Sequence, residues 1–463
     1  MNFIKAHKIP LLLALSCAVF YWAFAYDLER HDFSKLLTLY AALTFISYKL
    51  IAILKTNFWF LVGLAVIFRL VFLVATPNLS QDFYRFLWDG RMLAEGFNPY
   101  LQTPDEVMQW AKIPIAQAKI LYDGMGGLSA GHFTNYPPVN QLFFAIAAWL
   151  SPSSILGGVV TLRGIILFAD LGILYFGKKI LEHFKLNEFR IFWFVLNPFV
   201  IIEFTGNLHF ESVMLFFLVA ACYCLLRNKW WIAAVLIGLS VSVKLLPLLL
   251  LPALFQYLSS RGNQSGIKSY HPTSLIRASG FYLAVLLTVF LTFLPFLSED
   301  LIANFSATIG LWFKKFEFNA SVYYLVRSLG FRFTGYNIIG SAGPVLSVLT
   351  FLILIAIAFL RNNKSPQQLF IAALFSVVIY LIFSTTVHPW YVATPLLLCV
   401  FTKYRFPVVW SVLVFLSYSA YGEKEFAENL WLVALEYLVV IGFALWEIFI
   451  KKEQQQPKLL LFR

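Results

Sequence analysis

The sequence predicts an all-α polytopic membrane protein, a helical bundle of about 11–14 transmembrane helices with a long first extracytoplasmic loop. Three observations carry that expectation. Of 463 residues, 60% are hydrophobic, 18% aromatic and only 13% charged, whereas an average soluble domain carries about 25% charged residues. That is too little charge to cover a globular surface, which excludes a soluble enzyme, a disordered chain and a secreted disulfide scaffold. Apolar stretches recur along the whole chain, and basic residues gather in alternate gaps between them.

The apolar stretches cover residues 9–25, 34–53, 58–76, 138–151, 155–177, 189–203, 212–226, 230–258, 278–297, 338–360, 367–383, 391–402, 406–420 and 431–450. A helical span needs about 20 such residues. The first stretch starts like a signal peptide, but no small-residue cleavage site precedes Asp27, so it reads as an uncleaved first helix. The 230–258 stretch is interrupted at Lys244 and Pro247 and should hold two helices. The 138–151 stretch is short and reads as a re-entrant or tilted half-helix. Cys17, Cys222, Cys224 and Cys399 lie in or at the ends of apolar stretches, as small core residues do. No CxxC or HExxH pattern is present, and neither a metal nor a cofactor is expected. No internal repeat is visible, so residues 1–463 are expected to form a single integral-membrane domain.

The net charge of +12 would suggest nucleic acid in a soluble protein. Here its distribution follows topology, and no nucleic-acid partner is expected. With the N-terminus in the cytoplasm, the inside segments hold Lys5, Lys8, Lys55, Lys178, Lys179, Lys185, Arg190, Arg227, Lys229, Arg261, Lys268, Arg277, Arg361, Lys364, Lys403, Arg405, Lys451, Lys452, Lys458 and Arg463, against the acids Glu182, Glu188 and Glu453. The opposite side receives two long loops, 77–137 and 299–337, and two short polar turns, 203–211 and 384–390. Chemistry is therefore expected on the extracytoplasmic side, and the basic, short inside loops suit a bacterial inner membrane.

The first long loop opens with Ser80-Gln81-Asp82-Phe83-Tyr84-Arg85-Phe86-Leu87-Trp88-Asp89-Gly90-Arg91. Helical spacing puts Asp82, Arg85 and Asp89 on one face, with Trp88 and Arg91 beside them. A carboxylate held between arginines stays ionised and oriented, which suits a general base acting on a sugar hydroxyl. A salt-bridged interfacial helix explains the same pattern. The loop ends in Tyr136-Pro137-Pro138, a rigid entry into a helix. Glu203, Asn207, His209 and Glu211 crowd polar groups between two apolar runs, where they are costly unless they line a wet cavity. His209 and Glu211 alone make only a partial metal pattern. Lys244 either snorkels to the interface or binds an anion such as a lipid-linked phosphate. Lys314, Lys315 and Arg327, among Trp312, Phe313, Phe316, Tyr323 and Tyr324, read as a headgroup site or as interfacial anchors. His388, before Pro389-Trp390-Tyr391, is either a structural hydrogen-bonder or a donor to a leaving phosphate.

In this order, these pieces resemble the GT-C-fold membrane glycosyltransferases that use polyprenyl- or dolichyl-phosphate sugars, nearest the α-mannosyltransferase branch. The matching features are Asp82, Trp88-Asp89-Gly90 through Gly96-Phe97-Asn98-Pro99-Tyr100, Tyr136-Pro137-Pro138, Lys244 followed by Pro247, and His388-Pro389-Trp390-Tyr391. The family carries an acid or an Asp-x-Asp at the first-loop position, and Ser80-Gln81-Asp82 keeps only the second acid. The resemblance implies a GT-C-like bundle with the lysine and histidine regions near the donor phosphate.

The expected activity is inverting transfer of a sugar, mannose favoured, from a polyprenyl-phosphate donor to a lipid-linked or glycan acceptor of the cell envelope. Asp82 is the expected general base. Arg85, Asp89, Arg91, Tyr136, Glu203, His209, Glu211, Lys244, Arg327, His388 and Tyr391 are the expected substrate-binding residues, with membrane lipids as surroundings. The alternative is a multi-pass transporter or a flippase of lipid-linked sugars, which would use intramembrane charges such as Arg69, Arg163 and Asp170. A purely structural subunit is a third reading, opposed by the confinement of polar clusters to one side.

Overall fold

A computed structural model describes residues 7–260, 272–423 and 426–451. Lys5, Arg261, Lys268, Lys452, Glu453, Lys458 and Arg463, used above for orientation, lie outside the described residues. Among the described residues there is no β-strand, only isolated bridges such as Phe318 with Thr386. The protein is an all-α polytopic membrane protein.

Among the described residues, seven helices are long and apolar enough to cross a membrane: Lys8–Tyr26, Phe33–Ile53, Ile155–His183, Thr273–Phe296, Ile339–Leu360, Pro366–Phe383 and Leu430–Ile450. The pair Glu188–Val195 and Pro198–Gly206, bent by 49°, makes an eighth if taken as one span. The apolar stretches had suggested more. The difference lies in breaks inside apolar sequence, which leave helices of 10–17 residues: Phe58–Leu70, Pro138–Leu150, Glu211–Leu226, Trp230–Val243, Leu246–Ser260, Pro389–Val400 and Phe406–Ala420. Several begin at or next to a proline, which has no N–H to give and starts a helix well. The Pro138–Leu150 helix has 13 residues, about 20 Å at 1.5 Å per residue, short of a hydrocarbon core of about 30 Å. The break expected between Lys244 and Pro247 is present: one helix ends at Val243, Lys244 is extended, and a tight turn at Leu246–Leu250 leads into the next.

The two long loops are largely helical. Residues 77–137 contain helices Asp82–Ala94, Pro104–Val107 and Ala118–Ala130. Residues 299–337 contain Glu299–Lys314 and Val322–Thr334. A capping box, Thr103 with Glu106, starts one of these helices, and the Ser298 hydroxyl caps another.

The chain forms two compact units, each assembled from separate segments. The first comprises residues up to Leu79, Leu181–His209 and residues from Pro389 onward; the second comprises Ser80–Ile180 and Phe210–His388. In the first, Tyr40 stacks on Phe415 at 3.7 Å and its hydroxyl donates to the Ser411 carbonyl at 2.6 Å. Buried Arg69 donates to the carbonyls of Ala65 and Val195. In the second, the Asp82–Ala94 helix packs against the Pro138–Leu150 helix. Phe86 stacks on Phe144 at 4.6 Å, and a Cβ at Gly90 would meet the Phe144 carbonyl oxygen at 2.2 Å, so only glycine permits this approach. Helices Glu211–Leu226 and Trp230–Val243 form a hairpin whose turn places Asn228 at a positive φ of 64°. An apolar core of Ala233, Ile237, Leu254, Phe281, Val285 and Leu369 lies behind it.

Candidate active site

Asp82 is the first residue of its helix and is half-buried. At that position the backbone dipole favours a negative charge. Its own N–H points to the Ser80 hydroxyl at 3.3 Å. Glu211 is likewise the first residue of a helix. Its carboxylate feels both the Lys244 ammonium and the Asp82 carboxylate. Lys244 forms a short ion pair with Glu211 Oε1. The Lys244 side chain is 21% exposed and that of Glu211 only 2%. Glu211 Oε2 is buried with no hydrogen-bond partner among the described residues. Glu211 and Lys244 are thus paired in the second unit, and the Asp82 carboxylate acts on Glu211 through its charge.

One turn beyond Asp82, the predicted helical pair is present. Arg85 Nε donates to Asp89 Oδ1 at 2.7 Å, and Gln141 Nε2 donates to Asp89 Oδ2 at 3.0 Å. Both oxygens of Asp89 are therefore held by protein, and the residue is buried. Arg85 also reaches the carbonyls of Ser129 and His132 at 2.7 and 3.1 Å, and Gln141 reaches the Thr134 hydroxyl at 3.1 Å. These bonds clamp residues 129–134 to the Asp82 helix. Arg91, buried, donates to the Ala116 carbonyl and to Gln117 Oε1. Burial lowers the pKa of its guanidinium. The Tyr136 carbonyl accepts the Tyr100 hydroxyl at 2.6 Å, and the Tyr136 ring meets Phe86 edge-on.

Arg327 pairs with Glu317 and lies 4.3 Å over the Tyr324 ring. Tyr323 and Asn337 also bond Glu317, which makes a compact knot in the second loop. His388 lies among rings, 5.2 Å from Phe318, 6.1 Å from Trp312 and 6.3 Å from Phe316. His132 meets the same indole at 6.3 Å. Burial, and next the neighbouring Arg85, lower the His132 pKa below its ordinary 6.5 and favour the neutral imidazole.

Glu203, His209 and Tyr391 belong to the first unit. Glu203, in a π-helical turn at Ile201–Gly206, is fully buried. Tyr418 donates to its Oε1 at 2.7 Å; Asn207 and His209 approach its Oε2 at 3.4 and 3.6 Å. His209 stacks on Trp390 at 3.6 Å. Asn207 also accepts the Leu79 N–H at 3.2 Å. Among the described residues, no group of three or more His, Cys, Asp or Glu is placed to hold a metal ion.

Several residues of these networks carry no local signal in the sequence. Gln141 and Thr134 precede or open an apolar run, His132 is a lone loop histidine, and Tyr418 lies 215 residues from Glu203.

With this geometry in place, comparison with known proteins becomes informative. Residues 34–259 match the family described as alpha-(1->6)-mannopyranosyltransferase, N-terminal domain. That span includes Asp82, Arg85, Asp89, Glu203, Glu211 and Lys244, but neither Arg327 nor His388. The chain is 25% identical over 197 residues to alpha-(1->6)-mannopyranosyltransferase A of Corynebacterium glutamicum, covering 41% of this chain and 36% of that protein. It is 21% identical over 345 residues to the A enzyme of Mycobacterium tuberculosis, covering 70% of this chain and 61% of that protein. The Corynebacterium glutamicum B enzyme is 27% identical over 160 residues, 34% of this chain and 25% of its own length. The matches thus span between a quarter and three fifths of these relatives' own lengths. The resemblance read from the sequence and these similarities point to the same mannosyltransferases.

Proposed function

We propose that the chain is an inverting mannosyltransferase of the bacterial inner membrane, with a GT-C-like bundle and its site on the extracytoplasmic face. It takes mannose from a polyprenyl-phosphate donor and passes it to a lipid-linked or glycan acceptor of the cell envelope. The observation that carries this reading is the partly open group of Asp82, Glu211 and Lys244, in a chain similar to α-(1→6)-mannopyranosyltransferases.

The chemistry follows from the residue types. The acceptor hydroxyl attacks the anomeric carbon from the face opposite the phosphate. Asp82 takes the hydroxyl proton as the new C–O bond forms. The old bond between the anomeric carbon and the phosphate oxygen breaks, and its electron pair leaves with the phosphate. Lys244 faces that developing charge and stabilises it more in the transition state than in the ground state. Glu211 holds Lys244 in place through one oxygen and keeps the other for a sugar hydroxyl. Arg85 and Asp89 act by clamping the 129–134 segment beside Asp82 rather than by touching sugar.

The test is incubation of purified protein with radiolabelled polyprenyl-phosphate mannose and a mannoside acceptor. Label should leave the lipid and appear in a glycan product, and the Asp82→Asn protein should form that product about a thousandfold more slowly. Movement of intact labelled lipid across vesicles, with no glycan product, would instead establish the flippase reading.

A further inference from the structure

We propose that Trp312, flanked by His132 and His388, is a stacking platform for a hexose ring at this site. The inference rests on the mannosyltransferase reading and adds the place where a sugar lies. Trp312 is half-buried near the end of the Glu299–Lys314 helix. Three rings meet its indole at steep angles: Phe316 at 4.7 Å and 61°, His388 at 6.1 Å and 77°, His132 at 6.3 Å and 67°. Edge-to-face contacts of this kind hold an indole in a fixed orientation.

The platform is fixed by its backbone. The Thr385 hydroxyl donates to the Trp312 carbonyl at 3.2 Å, and the Thr386 hydroxyl to that of Phe316 at 3.0 Å. The Phe318 N–H bonds the Thr385 carbonyl, and the Val387 N–H bonds the Phe318 carbonyl. On the other side, the Thr308 hydroxyl bonds the Phe133 carbonyl at 3.1 Å, next to His132. Arg85, one turn from Asp82, grips the His132 carbonyl. An unbroken set of bonds therefore links the helix of the catalytic carboxylate to the indole.

The ligand class follows from what the platform offers. The indole Nε1–H is removed from solvent and has no acceptor among the described residues. Buried donors of this kind are uncommon, and such a group calls for a partner. A hydroxyl-bearing ring supplies one while its C–H face covers the aromatic surface. None of the four rings carries a fixed charge, and burial favours the neutral form of His132. That suits an uncharged hexose and does not suit a phosphate.

A hexose reaches the site from either the acceptor or the donor, and steady-state rates with each substrate varied in turn separate the two. Trp312→Ala should raise one KM about tenfold, while kcat changes far less. Trp312→Phe keeps an aromatic face, loses the Nε1–H, and should give a smaller rise in the same KM. A rise in acceptor KM assigns the acceptor sugar; a rise in donor KM assigns the donor sugar. Wild-type values for both, in protein with unaltered thermal unfolding, overturn the platform. If wild-type protein transfers no mannose, the functional reading fails separately. Titration with α-1,6-mannobiose, followed by saturation-transfer NMR, then still decides the platform: contact in wild type that is lost in Trp312→Ala and weakened in Trp312→Phe supports it, and contact that persists unchanged in Trp312→Ala overturns it.

Discussion

Glu203 and Glu211 lie eight residues apart, and both are buried, yet their surroundings are opposite. Glu203, in the first unit, receives Tyr418 at one oxygen and Asn207 at the other, with His209 Nε2 3.6 Å from that second oxygen. Glu211, in the second, spends one oxygen on a partly exposed lysine, leaves the other without a partner, and has Asp82 nearby. A buried carboxylate with both oxygens hydrogen-bonded to protein has the surroundings of a scaffold group. One that is half engaged and shares its space with a second carboxylate keeps bonding capacity for something else. The comparison distinguishes two kinds of surroundings among polar residues that the sequence alone groups together.

The comparison breaks most decisively at Asp82. Replacing it with Asn keeps the size and the helix start but removes the base, so transfer should fall about a thousandfold. Thermal unfolding of the purified protein should be unchanged. Transfer at the wild-type rate by Asp82→Asn would take the base role away from this residue.

Next in size is the ion pair. Lys244→Met leaves the Glu211 charge buried and uncompensated, which costs about 3–5 kcal/mol where such a pair is fully enclosed. Lys244 is 21% exposed, so the loss of stability should be smaller. The rate should fall about a hundredfold, because the leaving phosphate loses its cation. The double variant Lys244→Met with Glu211→Gln should regain stability but not rate. Recovery of both would reduce the pair to a structural role.

On the scaffold side the order reverses. Tyr418→Phe leaves one oxygen of Glu203 without its donor and should cost about 1–3 kcal/mol of stability. The rate per folded molecule should stay within about twofold of wild type, which is within measurement scatter for an effect below 0.5 kcal/mol. A large rise in KM with stability intact would show that Glu203 touches sugar after all.

The same contrast explains what was legible in the sequence. The helix interruption at Lys244 and Pro247, the half-length helix at Pro138 and the Arg85–Asp89 pair all depend on neighbours within a few residues, and each is present. The number of long helices was harder to read. Apolar composition continues across Pro198, where the helix pair bends by 49°. Choosing between the two glutamates was beyond the sequence, since their partners lie far along the chain: Tyr418 for Glu203 and, at 33 residues, Lys244 for Glu211. The Trp312 platform joins residues 132, 312 and 388, and nothing local marks the three as neighbours.

The smallest expected effect concerns the clamp between the Asp82 helix and the 129–134 segment. His132 has its pKa lowered below 6.5 by burial and then by Arg85, while the Phe133 carbonyl and Asp89 act in the opposite sense. The unfolded segment therefore binds a proton more readily than the folded one. Stability contributed by the neutral imidazole is complete above pH 6.5 and is lost progressively as the pH falls below that value. Amide exchange across residues 129–134 should accelerate between about pH 7 and pH 5, relative to the intrinsic rate, as local openings become easier. In His132→Asn, which cannot take up the proton, the exchange should lose this dependence. The Arg85–Asp89 bond, buried and 2.7 Å long, should persist through either change. Equal pH dependence in wild type and His132→Asn would move the sensitivity to another group and leave the clamp to Arg85 alone.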